Sequence, residues 1–301
     1  ENPKNYVFSA ITASVDADVR FEGIEGEGEA SRIGVLHIPM SGRFVINDGQ
    51  HRRASIEVAL RERPELADET IAVVFFIDIG LKHCQQMFAD LNRYAIRPSQ
   101  SLGALYDHRD ERAEVARRVV SKTPIFKGTV ELERSGLSAR SRRLFTFSAV
   151  YGATKALLAK QENPTIDQQV ETASTYWEAV AKQLPEWGKV QAGKISAGEI
   201  REDFIHSHGV VLQALGQVGN ALLFECPDDW KERLTALKSI DWSRGNTRDW
   251  EGRAMVAGRL SKAGNNITLT VNFIKKHIGL PLAPDEQRAE DAFERGENGK
   301  G

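Results

Sequence analysis

The residues best suited to chemistry lie together in one short stretch, Asp48-Gly49-Gln50-His51-Arg52-Arg53. The apolar residues 44–46 before them predict a buried strand, and residues 54–60 after them predict a helix. A strand-to-helix turn leaves the first backbone N–H groups of the helix unpaired and directs the positive end of its dipole outward, which favours an anion. Imidazole, amide and guanidinium groups surround the same point, so the pattern predicts a phosphate-binding turn.

An ordinary structural role also accounts for these residues. Asp48 would cap the helix, Gly49 would allow the turn, and the arginines would lie exposed beyond it. Polar turns before helices are common, so spacing alone leaves both interpretations open.

The string from Asp48 to Arg52 resembles the motif that names the DGQHR proteins, and its surroundings are similar to the DndB family of DNA sulfur modification proteins. The similarity is closest over residues 1–110 and looser beyond. Besides the motif it is carried by Tyr6-Val7-Phe8-Ser9-Ala10, Leu36-His37-Ile38-Pro39-Met40, Val73-Val74-Phe75-Phe76 and Met87-Phe88-Ala89-Asp90-Leu91-Asn92-Arg93-Tyr94. The resemblance implies a DNA-binding repressor of its own DNA phosphorothioation gene cluster, with double-stranded promoter DNA as its partner.

A second resemblance is to the ParB and sulfiredoxin-like fold, in which a Gly-x-x-Arg turn and a later Asn/Arg segment bind nucleotide phosphates between them. It implies ATP, with or without Mg²⁺, bound by Asp48, Gly49, Gln50, His51, Arg52, Arg53, Asn92 and Arg93. Sulfiredoxin carries its catalytic cysteine inside the corresponding turn, where this chain has Gln50. Its sulfinic acid chemistry therefore has no nucleophile here and is rejected.

Composition limits the function classes. The formal net charge of −2 argues against a protein that is basic all over, so any nucleic-acid surface must be a local patch. No apolar run approaches the roughly 20 residues of a membrane helix, and no signal peptide is visible, so we expect a cytoplasmic protein without membrane contact. The two cysteines, Cys84 and Cys226, are far apart and predict reduced, structural thiols rather than a metal site. Because the chain begins without methionine, we expect a preceding segment to be missing.

Periodicity predicts an α+β protein, with strands and helices mixed over residues 1–110, a mostly α-helical domain over 111–283 and a frayed polar tail over 284–301. The resemblance implies that the first domain has the mixed sheet of the ParB/sulfiredoxin-like fold. Buried strand 71–79 after helix 50–63 predicts a βαβ unit. The other predicted strands lie at 5–15, 19–22, 34–38 and 44–46. The other predicted helices are 81–92, 109–122, 138–160, 166–183, 197–224, 228–240, 250–263 and 266–277.

The densest basic cluster is the segment 134–143, with Arg134, Arg140, Arg142, Arg143 and no acid. Its serines and the start of the helix predicted at 138 would add phosphate donors, and Lys155 would share that helix face. A solvated loop is the competing interpretation.

A weaker candidate interleaves Arg244, Arg248 and Arg253 with Trp242 and Trp250, where packing is commoner than base stacking. Residues 265–268 could belong to a helix-turn-helix, although no motif establishes one. His206 and His208, two apart on a predicted helix, are assigned to helix surface and core.

Three functions compete. The first is the repressor, commonly a two-fold dimer, whose DNA binding is modulated by ATP at the turn. The second is an enzyme that hydrolyses ATP, with Asp48 orienting water or Mg²⁺ and His51 as acid or base; without a Walker lysine its turnover would be slow. The third is an interaction subunit that docks on other phosphorothioation proteins.

Overall fold

The chain divides between Arg97 and Pro98 into an N-terminal unit and a helical unit. The computed structural model describes residues 8–24, 31–77, 86, 99–107, 109–161 and 163–296. The division lies earlier than the boundary expected at residue 110. Helix α2 (Gln100–Tyr106) packs with the helices that follow it, because the Arg117 guanidinium donates to the backbone carbonyls of Ala104, Leu105 and Asp107.

A three-stranded sheet forms the centre of the N-terminal unit. Strand β1 (Ile11–Asp16) lies between β4 (Arg43–Asp48) and β5 (Val73–Ile77), antiparallel to β4 and parallel to β5. Being central, β1 carries the buried apolar side chains of the sheet, which are Ile11, Ala13 and Val15. The sheet is therefore mixed and the fold is α+β, as predicted.

The remaining described elements of this unit are a hairpin, one α-helix and a 3₁₀ segment, Pro64–Asp68. Strand β2 (Arg20–Gly23) pairs antiparallel with β3 (Gly34–His37), and helix α1 (Gln50–Glu62) follows β4 directly. The strands predicted at 19–22, 34–38 and 44–46 and the helix predicted at 50–63 are confirmed to within a few residues. The burial predicted for residues 44–46 was wrong, since Phe44 and Val45 are exposed. The helix predicted at 81–92 lies outside the described residues, apart from Gln86, which is helical.

Two predictions about β5 were wrong. β4, α1 and β5 do not form a βαβ unit, because β1 separates the two strands and they run in opposite directions. The strand is also not buried on both faces, since Val73, Val74, Phe76 and Ile77 are all exposed. Its apolar run looks like that of a central parallel strand, but β5 lies at the edge of the described sheet.

The helical unit consists of helices joined by short irregular segments. Its elements are α2, α3 (Glu111–Lys122), β6 (Val130–Glu131), β7 (Phe145–Thr146), α4 (Phe147–Leu157), α5 (Ile166–Ala181), α6 (Pro185–Gln191), α7 (Ala197–Asp203), α8 (Gly209–Glu225), α9 (Trp230–Arg233), α10 (Thr247–Trp250), β8 (Met255–Val256), β9 (Arg259–Leu260), α11 (Gly264–His277) and α12 (Pro284–Glu294).

Helices α4 and α8 pack closely at the centre of this unit. A Cβ atom on Gly216 would lie 2.2 Å from the Ala153 carbonyl oxygen, and one on Gly219 would lie 2.4 Å from the Tyr176 ring. Only glycine lets the two backbones approach to this distance. Aromatic side chains fill the space around the crossing, with Tyr176 and Trp177 fully buried.

Several predicted helices were too long. The one at 197–224 is broken at Phe204–His208, where Phe204 forms a β-bridge with Ser243, so α7 and α8 are separate. The one at 228–240 is the short helix α9 followed by a 3₁₀ segment, Leu234–Ser239. The one at 250–263 is instead the β8–β9 hairpin. Because this hairpin and not a helix precedes α11, residues 265–268 do not form a helix-turn-helix.

The polar tail was wrongly predicted to fray, since residues 284–294 form helix α12. Glu290 of α12 is fully buried, and its carboxylate accepts two hydrogen bonds from the Arg253 guanidinium, at 2.9 and 2.6 Å. Lys276 and Asn272 donate to the same carboxylate at 3.0 and 3.2 Å. A buried carboxylate with this many donors attaches the last helix to the unit.

Candidate functional site

The Asp48–Gly49 turn begins helix α1 without a side-chain cap. Gly49 is the N-cap residue and has a left-handed backbone, with φ of 103°. The first backbone hydrogen bond of the helix runs from Arg53 N–H to the Gly49 carbonyl at 2.9 Å. The preceding N–H groups of α1 therefore have no partner within the helix, which is the property needed to bind an anion. The Asp48 side chain does not cap the helix, so that part of the ordinary structural interpretation was wrong, whereas the glycine turn and the exposed Arg53 agree with it.

Arg52 is bound inside the turn. Its guanidinium donates to the Asp48 carboxylate at 2.7 Å and to the Ala10 carbonyl at 3.1 Å. The arginine lies under Gly49, where a Cβ atom would be 3.0 Å from the nearer terminal nitrogen. Its Nε has no hydrogen-bond partner among the described residues. Arg52 thus connects α1 to the start of β1, and it would have to release Asp48 to bind a phosphate with all its donors.

The other side chains of the turn differ in whether they already have a partner in the fold. Gln50 donates to the Ile46 carbonyl at 2.8 Å, and Arg53 pairs with Glu57 at 3.0 Å. His51 is exposed at the start of the helix. Asn92 and Arg93 lie outside the described residues, so the cleft expected between them and Arg52–Arg53 stays a prediction.

The arginine loop, residues 134–143, is the second candidate. Arg134, Arg140, Arg142 and Arg143 are exposed. The helix predicted from residue 138 was wrong, because Phe145 and Thr146 first pair in parallel with Val130 and Glu131. Helix α4 begins only after Thr146, whose hydroxyl accepts from the Ala149 N–H at 3.3 Å and caps it. The loop arginines therefore have no helix N–H groups beside them, contrary to the prediction from the sequence.

The buried side chain of Arg201, in helix α7, hydrogen-bonds to the backbone of the loop. It is 8% exposed, and its guanidinium donates to the carbonyls of Ser138 at 2.7 Å, of Ala139 and Ser141 at 3.3 Å, and of Arg143. Gly198 makes the approach possible, because a Cβ atom there would lie 2.4 Å from the Ala139 carbonyl oxygen. Burial lowers the pKa of Arg201, but an arginine remains charged at neutral pH.

The start of the loop is fixed by two serines. Ser101, which is fully buried, donates from its hydroxyl to the Arg134 carbonyl at 3.1 Å and from its backbone N–H to the Ser135 hydroxyl at 3.0 Å. Ser99 donates to the Glu133 carbonyl. The loop is thus attached at both ends.

The loop arginines point their charge at solvent. Arg140 and Arg142 form no ion pair or side-chain hydrogen bond within the described part of the chain, while Arg143 donates to the Gly128 carbonyl. The sequence analysis did not identify Arg201 as a buried residue, because its neighbours Glu199, Glu202 and Asp203 are typical of a solvated helix face. The usable signal was its spacing from Ala197 and Ile200, the other buried residues of α7.

Lys155 lies elsewhere than the sequence suggested. It is in the last turn of α4, eight residues and so about 12 Å of helix from Phe147, where α4 begins. There it lines a separate cavity with Glu111 and Arg112. The structure therefore gives Lys155 a different surrounding from the loop arginines.

Of the weaker arginine–tryptophan candidate, the tryptophans and Arg253 belong to the core, whereas Arg244 is half-buried and Arg248 is exposed. Trp242 and Trp250 are buried and stacked on each other, with ring centroids 5.3 Å apart, and Arg253 is engaged by Glu290. His206 is buried, and His208 is the N-cap residue of α8 but makes no side-chain capping hydrogen bond. The described residues contain no cluster suited to a metal ion. Of the cysteines, Cys226 is a free thiol, and Cys84 lies outside the described residues.

Comparison with known proteins identifies the family. The family model DndB, described as DNA-sulfur modification-associated, matches residues 1–281, so the chain belongs to the DndB family and is associated with DNA sulfur modification. No curated protein and no solved structure matches it. Within the described part of the chain, no helix is both long and apolar enough to cross a membrane.

Proposed function

We propose that the chain is a DNA-binding repressor of a DNA phosphorothioation gene cluster. The observation that supports this most is the arginine loop, whose backbone is fixed by Arg201 while Arg140 and Arg142 extend unpaired into solvent. When guanidinium groups on a fixed backbone meet phosphates, the backbone does not have to be ordered, and the groups match phosphate geometry with paired N–H groups. A local basic patch also reconciles DNA binding with a net charge of −2.

The test is fluorescence anisotropy with the promoter duplex of the gene cluster and with a random duplex of equal length, over a salt series. Each phosphate contact contributes about 0.9 to the slope of log affinity against log salt. Arg140→Ala and Arg142→Ala should each weaken binding to both duplexes and lower that slope by about 0.9. Arg288→Ala, an exposed arginine of α12, is the matched control and should change neither.

Two results would count against the proposal. One is unchanged affinity and salt slope in the Arg140→Ala, Arg142→Ala double variant. The other is the absence of any preference for the promoter, which would favour the alternative of a subunit that docks on other phosphorothioation proteins.

We further propose that ATP binds at the Asp48–Gly49 turn and modulates DNA binding. The uncapped N–H groups of α1 and the unpartnered Nε of Arg52 support a phosphate there. The Asp48 carboxylate would repel that phosphate unless Mg²⁺ lies between them, so binding should require Mg²⁺. The nucleotide must also prefer one conformation, because equal affinity for two shifts nothing.

Calorimetric titration of ATP with and without Mg²⁺ tests this second proposal. Arg52→Ala should abolish binding, and Arg61→Ala, on the exposed far end of α1, should not. Retained ATP affinity in Arg52→Ala would refute the placement. If the turn also hydrolyses ATP, phosphate release should vanish in the Asp48→Asn, His51→Ala double variant.

A further inference from the structure

A cavity of about 440 Å³ lies in the helical unit, where α5 ends and α6 begins. The segments around Phe204–His206 and Leu237–Trp242 close its other sides. No residue of the arginine loop lines it, and of its residues only Trp242 was part of a binding candidate in the sequence analysis, the weaker arginine–tryptophan one. Its volume falls within the range of small-molecule sites.

His206 supplies a hydrogen-bond donor to this cavity. The ring is fully buried, and the Trp187 indole N–H donates to its Nδ1 at 2.9 Å. Because an indole nitrogen only donates, Nδ1 carries no proton, and the neutral ring must carry its proton on Nε2. Burial, with a smaller contribution from His208, lowers the pKa of His206 to about 3, so the ring stays neutral. A protonated Nε2 can neither bind a metal nor accept a proton, and it can only donate.

This donor has no hydrogen-bond partner among the described residues. The nearest carboxylate oxygen, Oε2 of Glu186, is 3.7 Å from Nε2 and so beyond hydrogen-bond distance. With a neutral ring the contact is not an ion pair. A buried donor left in this state costs free energy, which an acceptor entering the cavity would recover.

Two acceptors lie in the same cavity. Gln183 is buried and donates from Nε2 to the Ala179 carbonyl at 3.1 Å, which leaves its Oε1 without a partner in the described structure. Glu186 also has acceptor capacity, because among the described residues its carboxylate lies 3.7 Å from the neutral His206 ring and 3.9 Å from the Lys189 ammonium, both beyond hydrogen-bond distance. The polar wall therefore offers one donor and two acceptors.

We propose that this cavity binds a nucleotide whose base carries an exocyclic amino group, namely adenine, cytosine or guanine. A ring nitrogen or carbonyl of such a base would accept from His206, and its amino group would donate to Gln183 and Glu186. Uracil and thymine present more acceptors than donors and fit this wall poorly. Lys182 and Lys238 line the same cavity and are exposed, so they suit the phosphate.

Aromatic side chains of the cavity suit a planar ligand as well. Trp242 lines it, and Phe204 stacks on the His206 ring with centroids 5.2 Å apart and planes 17° apart. Because Trp242 also stacks on Trp250, a base would have to stack on the faces of these rings that their neighbours leave open. The inference is independent of the DNA-binding role proposed for the arginine loop.

The test is calorimetric titration of AMP, CMP, GMP and UMP into the full chain. At least one of the three amino-bearing nucleotides should bind ten-fold or more tightly than UMP, because a mismatched base leaves buried polar groups unpaired. Glu186→Gln and Gln183→Leu should each weaken that binding at least ten-fold. Glu178→Gln, on the exposed side of α5, and Lys194→Ala are the matched controls and should not. The Lys182→Ala, Lys238→Ala double variant should reduce the affinity for the monophosphate to that for the nucleoside.

Two further measurements keep the outcome decisive. Arg52→Ala should leave the binding of these nucleotides unchanged, which separates this cavity from the turn of the N-terminal unit. In the unsubstituted chain, nitrogen-resolved NMR should show a protonated His206 Nε2 whose signal shifts when the nucleotide is added. Absence of binding by all four nucleotides, equal affinity for UMP, or an unmoved His206 signal at saturation would overturn the proposal.

Discussion

Replacing Arg201 with methionine should destabilise the helical unit and release the arginine loop. Methionine keeps the aliphatic stem but removes the guanidinium, which donates to four carbonyl groups of the loop, most closely to Ser138 and Arg143. A hydrogen bond from a charged group contributes about 1.5–3 kcal/mol. Water can reach part of the exposed loop, so the two close hydrogen bonds should dominate and the loss should be about 3 kcal/mol.

This loss can be measured as a melting temperature. For a unit of this size each 1 kcal/mol corresponds to roughly 2–4 °C, so Arg201→Met should melt about 6–12 °C lower in calorimetry. Arg201→Lys should fall between the two, because it keeps the charge but not the planar fork. Hydrogen exchange should speed up at the backbone amides of residues 138–143. Glu202→Ala, at the exposed neighbour, is the control and should melt within about 1 °C of the original chain.

The same variant links the fold to the proposed DNA surface. Arg201→Met should weaken DNA binding together with stability, whereas Arg140→Ala should weaken DNA binding at an unchanged melting temperature. If Arg201→Met melts within about 2 °C of the original chain and its loop amides exchange no faster, the loop does not depend on Arg201 and the reasoning fails.

Three further predictions concern stability. Burial raises the pKa of Glu290, but the hydrogen bonds from Arg253 and a neighbouring lysine outweigh it and lower the pKa to about 2, so roughly 3 kcal/mol should be lost as pH falls from about 4.5 to 2. Urea denaturation should show this loss, and Glu290→Gln should remove it. His206, with its pKa lowered to about 3, stays neutral when folded and becomes protonated when unfolded, so stability should fall by up to about 1.4 kcal/mol per unit as pH drops below 6.5 towards 3. His206→Gln should reduce this slope and leave the part due to His208, whose pKa burial also lowers, and a slope unchanged by the substitution would disprove the prediction. Gly216→Ala should lower the melting temperature, because overpacking by roughly 1–3 kcal/mol exceeds the gain in helix propensity of about 1 kcal/mol, whereas Gly188→Ala in open space should raise it.

The sequence predicted best what neighbouring residues determine. The turn at Gly49 and the extent of α1 followed from an apolar run, a glycine and an amphipathic stretch within twenty residues of each other. The alternation of apolar residues likewise located β3 and β4. The order of strands could not be predicted in this way, because β1 inserts between β4 and β5 through contacts distant in the chain.

The missed features all depend on partners far along the chain. Arg201 reaches a loop about 60 residues earlier, and nothing near residue 201 indicates that its charge is buried. Residues 284–294 have a polar composition typical of a frayed end, yet Glu290 meets Arg253, 37 positions away. The tautomer of His206 depends on the hydrogen bond from the Trp187 indole, and the local sequence does not indicate that the two rings meet.

The contact between Arg253 and Glu290 also orders events during synthesis. Arg253 leaves the ribosome long before Glu290, so for that interval its cation has no carboxylate to meet and cannot be enclosed without a large desolvation penalty. The hairpin that carries Arg253 and the helix that follows it should therefore remain loosely packed in the nascent chain. Closure of this part of the unit therefore waits until helix α12 has left the ribosome.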